Sequence, residues 1–244
     1  MTPTEAILAH MNRKLGEYEL HRALLAHGDW RVPRPDKATL PTILINDAAM
    51  TPSIWALSSD AAYQAACKEF HAAAVGPVVH LAHLDDVLVE EDPRVVRLTI
   101  DPSSPIAFHI QTDALAEFRR MASAVRVERA MTERNYAAVR AYGRYAVPYF
   151  GVLGQGHNII TIPSDRGKMV AAFTAPDAVD AFLAAGSDAN RAAVKFLLID
   201  GDQLFGVVQQ LAQGVLMNPM GPRTFGFELS ACRDIAAATP PING

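Results

Sequence analysis

The chain repeats itself, and that limits what it can fold into more than any other feature does. Gly28-Asp29-Trp30-Arg31-Val32-Pro33 returns as Gly143-Arg144-Tyr145-Ala146-Val147-Pro148, 115 residues later. Leu57-Ser58-Ser59-Asp60 and an alanine-rich sequel return at 116 as Phe173-Thr174-Ala175-Pro176 and a second alanine-rich stretch. Leu84-Asp85-Asp86-Val87-Leu88 pairs with Gly201-Asp202-Gln203-Leu204-Phe205 at 117, and Asp101-Pro102-Ser103-Ser104-Pro105 with Asn218-Pro219-Met220-Gly221-Pro222, also at 117. Each match is short; their shared order and near-constant spacing give them weight. A period this long implies two copies of a domain, because solenoid units run roughly 20–50 residues. The domains expected are 1–122 and 123–244, meeting without a Gly/Ser/Pro linker.

Each copy gives the same element order. Thr2-Pro3-Thr4-Glu5 fits a capping box with proline at the first helical position. Leu8, Met11, Leu15, Tyr18 and Leu25 then predict one helix, ended by Gly28 as Gly143 ends its counterpart, each glycine in a left-handed position. In copy two the spacing predicts strands over 145–152, 158–162 and 168–173, with a turn at Ser164-Asp165-Arg166-Gly167. A helix from Thr174-Ala175-Pro176-Asp177 follows, then a strand over 194–199. Leu204, Val207, Val208 and Leu211 mark a helix over 201–211. Strands over 215–217 and 223–229 flank the Asn-Pro turn, and a last helix starts with Ser230 as N-cap. This order is α+β: two similar mixed-sheet copies with helices, expected to pack as a pseudo-two-fold pair.

Composition removes several function classes. With 22 Lys+Arg against 26 Asp+Glu the net charge is −4, which does not suit a nucleic-acid binder. No apolar run reaches the roughly 18 residues of a membrane span, and Glu5, Arg13, Lys14, Glu17 and Glu19 interrupt any signal-peptide core. Two cysteines make no disulfide framework. A cytoplasmic protein, monomer or homodimer, is expected.

The stretch Ala171-Ala172-Phe173-Thr174-Ala175-Pro176-Asp177-Ala178 resembles the strand-to-helix junction of the SseB N-terminal domain. So do Leu198-Ile199-Asp200-Gly201-Asp202-Gln203-Leu204 and Gly214-Val215-Leu216-Met217-Asn218-Pro219-Met220-Gly221-Pro222, while Tyr145-Ala146-Val147-Pro148 resembles that family's first strand. The resemblance covers roughly 135–235 and, more divergently, 20–120. It implies two SseB-like domains. The family takes its name from an effect on bacterial serine sensitivity, and its members have been linked to sulfurtransferases. It brings no catalytic residue set.

Candidate chemistry is sparse. His80-Leu81-Ala82-His83-Leu84-Asp85-Asp86 offers metal-ligand types in His80, His83 and Asp85. Copy two has Leu197 and Asp200 in place of the two histidines, and a strand end entering an acidic helix start is the plainer reading of the cluster. Cys67 aligns with Leu183 and Cys232 with Leu115, so both read as apolar core positions. Gly151, Gly154 and Gly156 have the wrong spacing for a dinucleotide fingerprint, and no nucleophile elbow or Walker motif occurs. No catalytic residue and no cofactor is assigned.

Between Arg119 and Arg144 lie seven arginines and two glutamates, a charge of +5 in a chain of −4. Arg126, Arg129, Arg134 and Arg140 are therefore candidate contacts for an acidic protein partner, with a solvated connecting helix as the plainer reading. The turns carrying Asp200, Asp202, Asn218 and Pro219 complete the candidate surface. The function expected is a non-enzymatic bacterial adaptor or regulatory protein. The alternatives are a metal- or small-ligand-binding protein or enzyme with a cleft between the copies, and an immunity-type protein that neutralises a toxin.

Overall fold

The computed structural model of the chain describes residues 1–34, 51–88, 95–144, 149–153, 159, 161–185, 195–221 and 224–238. The fold is α+β, with helices against mixed sheets. The chain divides into two compact units, Met1–Ala122 and Ser123–Ile242, within the helix Thr112–Thr132. No helix among the described residues is long and apolar enough to cross a membrane.

Unit 1 opens on α1 (Pro3–Met11), held by the expected capping box: Glu5 N donates to Thr2 Oγ1 at 3.2 Å and Thr2 N to Glu5 Oε2 at 2.7 Å. The single helix expected through Leu25 is broken. Arg13 turns left-handed (φ 56°), and the Arg13 and Lys14 amides donate back to the His10 and Ala9 carbonyls, both at 2.8 Å. This closes the helix in Schellman fashion, and α2 (Glu17–Ala26) starts afresh from Gly16. The chain continues through β1 (Trp30–Pro33), β2 (Ser53–Ala56), α3 (Asp60–Phe70), α4 (Ala72–Val75), β3 (Val78–Leu81), α5 (Asp85–Leu88), β4 (Arg97–Ile100) and β5 (Phe108–Gln111) into α6 (Thr112–Thr132).

Unit 2 contains α7 (Tyr136–Tyr142), β6 (Tyr149–Leu153), β7 (Thr161–Ser164), β8 (Gly167–Phe173), α8 (Pro176–Ala185) and β9 (Lys195–Ile199). Then come α9 (Gly201–Leu211), β10 (Gly214–Met217), β11 (Phe225–Glu228) and α10 (Leu229–Ala236). The expected turn at 164–167 is the β7–β8 hairpin, with Gly167 at φ 103°. Residues 145–148, Gly154 and Gly156 lie outside the described residues.

Three local expectations are corrected. Gly143 caps α7 with right-handed geometry (φ −59°), and Gly28 has no positive φ. Glycine is needed at 143 for space: a Cβ there would lie 2.6 Å from the Val139 carbonyl oxygen. Ser230 lies inside α10, whose N-cap is Glu228 with no side-chain bond.

The sheets share one plan. In unit 1, β2 pairs parallel with β4 and β4 antiparallel with β5, while β1 and β3 form an antiparallel pair. An antiparallel bridge between Arg31 and Leu57, two N–H···O bonds of 2.9 Å, links the two sets. In unit 2 the order is β11-β10-β8-β6-β9, with β7 hydrogen-bonded to β8. The registers correspond. Ile54 opposes Leu98 as Val170 opposes Val215, and Arg97 opposes Gln111 as Gly214 opposes Glu228. The first strands depart from the sequence match. Trp30 opposes Leu81 and Arg31 bridges Leu57, while Phe150 opposes both Leu198 and Phe173, so the pairing sets Phe150, not Tyr145, at the Trp30–Arg31 place.

Alternation explains the burial of β8. Val170 and Ala172 join a core with Val215, Met217 and Phe227 of the sheet, Leu204, Phe205 and Val208 of α9, and Cys232 and Ile235 of α10. Ala171 and Phe173 face the other way, onto Val179 and Phe182 of α8. A strand covered on both faces becomes a continuous apolar run, as Met169–Phe173 is.

Candidate functional site

Asn218, expected in an exposed turn, is buried and holds the fold. It is left-handed (φ 47°), a region that asparagine and aspartate tolerate best after glycine. Its Oδ1 accepts from Thr174 N at 2.9 Å, its Nδ2 donates to Thr174 Oγ1 at 2.9 Å, and its own N donates to the Ala172 carbonyl at 2.8 Å. Unit 1 repeats the device. Asp101, also at φ 47°, accepts from Ser58 N at 2.7 Å and from Ser58 Oγ at 2.6 Å, and its N donates to Ala56 O at 3.1 Å. In both units this clasp ties the end of one parallel strand to the strand–helix junction of its neighbour. Pro219, next to it, is buried as well.

The other sequence candidates scatter. Asp200 caps α9, accepting from Gln203 N at 2.7 Å. Asp202 pairs with Arg144, whose Nη1 also donates to Ala238 O at 2.9 Å. Arg126 lies over the Tyr142 ring, 3.9 Å from its centroid. Arg129 is half-buried on α6 with a partner of its own. His80 is exposed on β3, His83 follows that strand, and Asp85 is buried at the start of α5. Among the described residues no three histidine, cysteine or acidic side chains group as metal ligands, so these three do not converge. Cys232 sits in the unit 2 core, where burial pushes its thiol up to about 11 and leaves it protonated at neutral pH.

Arg134 and Arg140 differ: among the described residues neither side chain has an ion pair or hydrogen bond. Arg134 follows α6 with φ 55°, its amide donating to Met131 O at 3.1 Å and that of Asn135 to Ala130 O at 2.8 Å. This is the closure seen after α1, and it leaves the guanidinium exposed at a groove.

That groove, about 560 Å³, belongs to unit 2. It is lined by Met131, Arg134, Tyr136, Leu216, Phe225 and Gly226, and by residues 164–166 of the β7–β8 hairpin. Tyr136 is 63% exposed, and its ring lies 5.4 Å from that of Phe225. Across the groove, Arg166 Nη1 donates to Glu228 at 2.6 Å, and Asp165 is the only acid among the described lining residues.

Gly226 opens it. In the β10–β11 register Gly226 opposes Leu216. A Cβ built on Gly226 would meet only Leu216 Cδ1, at 3.8 Å, so the space beside it is empty. The same register position in unit 1 holds His109 opposite Thr99, and the Thr99 hydroxyl and His109 Nδ1 are 3.2 Å apart. Unit 1 fills with an imidazole what unit 2 leaves to glycine.

Of the groove residues, sequence reasoning found Arg134. It missed Tyr136, Leu216, Phe225 and Gly226. The available signal was a lone glycine inside the aromatic strand Phe225-Gly226-Phe227, a pattern that marks close approach by another group.

The chain matches no family model, and no curated protein matches it. A solved structure, Anabaena Tic22, described by the words protein transport, is similar over 80% of this chain and 87% of its own length. The identity is 13% and the TM-score 0.24, so the similarity carries neither fold nor function across.

Proposed function

We propose that this chain is a non-enzymatic bacterial adaptor or regulatory protein, made of two SseB-like copies of one domain and acting in the cytoplasm. Its partner is a protein that docks in the groove of unit 2. One observation carries this reading: an open groove combining the exposed Tyr136 ring, set against the half-buried Phe225, with Arg134, which has no ion pair among the described residues. Aromatic and arginine side chains are the commonest anchors of protein interfaces. The shared strand order and matching registers support the copy reading. The SseB-like assignment rests on the residues quoted for it.

The test is affinity purification of the tagged chain at native expression level, followed by mass spectrometry, for wild type and Gly226→Val. The substitution fills the groove at a site with room for it. One dominant protein retained by wild type and lost from Gly226→Val is expected. The same proteins on both would overturn the reading.

A further inference from the structure

We infer that the groove takes an extended acidic segment, added as a strand along the free edge of β11. This rests on the proposed protein-binding function and specifies the chemistry of the partner. Among the described residues β11 ends its sheet, with β10 on one side and no strand on the other. An end strand presents main-chain N–H and C=O groups to any segment that lies beside it, and strand addition is an established mode of peptide capture.

Thr224, Phe225 and Gly226 of that strand line the groove, together with Leu216 of β10 and the β7–β8 hairpin, whose Arg166 reaches Glu228 at the strand's far end. A glycine within a strand admits close approach, and Gly226 leaves room beside Leu216 for a side chain of the incoming segment. Tyr136 and Phe225 offer an apolar side chain an aromatic seat.

Charge sets the sign. Arg134 lies in the lining, and Arg140 stands one turn along α7 from Tyr136, four residues away and on the same side of the helix. Both are unpaired among the described residues. On the far wall Arg166 pairs with Glu228, and Asp165 is the only carboxylate among the described lining residues. Within the described lining two arginines, Arg134 and Arg166, stand against this one carboxylate, and arginine forks match carboxylates.

The test is fluorescence anisotropy with the full chain and a labelled octapeptide of alternating glutamate and valine. Two further peptides serve as comparisons: a lysine-for-glutamate version, and the acidic one N-methylated at alternate amides. Saturable, salt-sensitive binding of the acidic peptide is expected. It should weaken at least tenfold for each comparison peptide, and at least tenfold for Gly226→Val and for Arg134→Glu. Arg134 is exposed, so the second variant keeps the test open should the first fail to fold. No saturable binding, equal binding of either comparison peptide, or indifference to a folded variant overturns the inference. If that happens while Gly226→Val still loses a cellular partner, strand addition fails and the protein-binding reading stands. If Gly226→Val keeps every partner, both fail.

Discussion

Units 1 and 2 agree where the backbone needs a particular side chain and differ where a side chain meets solvent. Both end a parallel strand on a left-handed Asx residue, Asp101 or Asn218, that clasps Ser58 or Thr174. One clasp is ionic and the other neutral, yet the backbone geometry is the same. At the end of the sheet the agreement stops: Thr99 and His109 bond to each other in unit 1, while Leu216 faces Gly226 and a groove in unit 2. The framework is set by strand ends and buried amides. The proposed binding capacity rests on one position of β11, Gly226.

The largest expected effect is loss of the clasp. Asp101→Ala removes two charge-assisted hydrogen bonds and orphans the Ser58 amide. It should cost about 2–3 kcal/mol in urea unfolding. Asn218→Ala should cost about 2 kcal/mol by the same reasoning. The exchanges Asp101→Asn and Asn218→Asp should each cost under about 1 kcal/mol, because each supplies the set of bonds that works in the other unit. An exchange as damaging as the alanine variant would show that the two clasps are not equivalent.

Next comes His109→Gly, which copies the unit 2 solution into unit 1. Losing the bond to Thr99 should cost about 1 kcal/mol, read as a lowered urea midpoint. A cost near zero would mean that His109 adds nothing to the edge it covers.

Acid should act through unit 1. His21 is 3% exposed against Phe118, and burial, only partly offset by Glu17, holds its pKa below the ordinary histidine value. The unfolded chain therefore binds a proton near pH 6.5 that the folded chain refuses. Stability should be level above that pH and fall as pH drops through it. His21→Leu should flatten this part of the stability–pH curve. An unchanged slope would assign the acid sensitivity elsewhere.

The smallest effect concerns the ion pair over the groove. Arg166 and Glu228 are both more than half exposed, so Arg166→Ala should change stability by less than about 0.5 kcal/mol.

Local signals in the sequence located many of these elements. The capping box at Thr2, the hairpin turn at Ser164–Gly167 and the apolar spacing of α9 each declare an element within a few residues. What stayed hidden is non-local or depends on backbone sign. The break after α1 needs Arg13 in a left-handed conformation, which no composition rule announces for arginine. Asn218 and Pro219 carry ordinary turn signals, but the left-handed backbone aims the asparagine inward at Thr174, 44 residues away. The groove arises from a missing side chain on one strand opposite a leucine on the next, and sequence shows such a pair only once the register is known.

The most direct measurement is in-cell photo-crosslinking with benzoylphenylalanine in place of Tyr136 in one strain and His109 in another. Both positions are exposed; Tyr136 lines the groove of unit 2, and His109 fills the corresponding strand position of unit 1. A single protein adduct from position 136, absent from position 109 and lost when Gly226→Val is added, is the predicted result. No adduct at 136, or the same adduct from both positions, would contradict the claim that the groove beside Gly226 is the docking site.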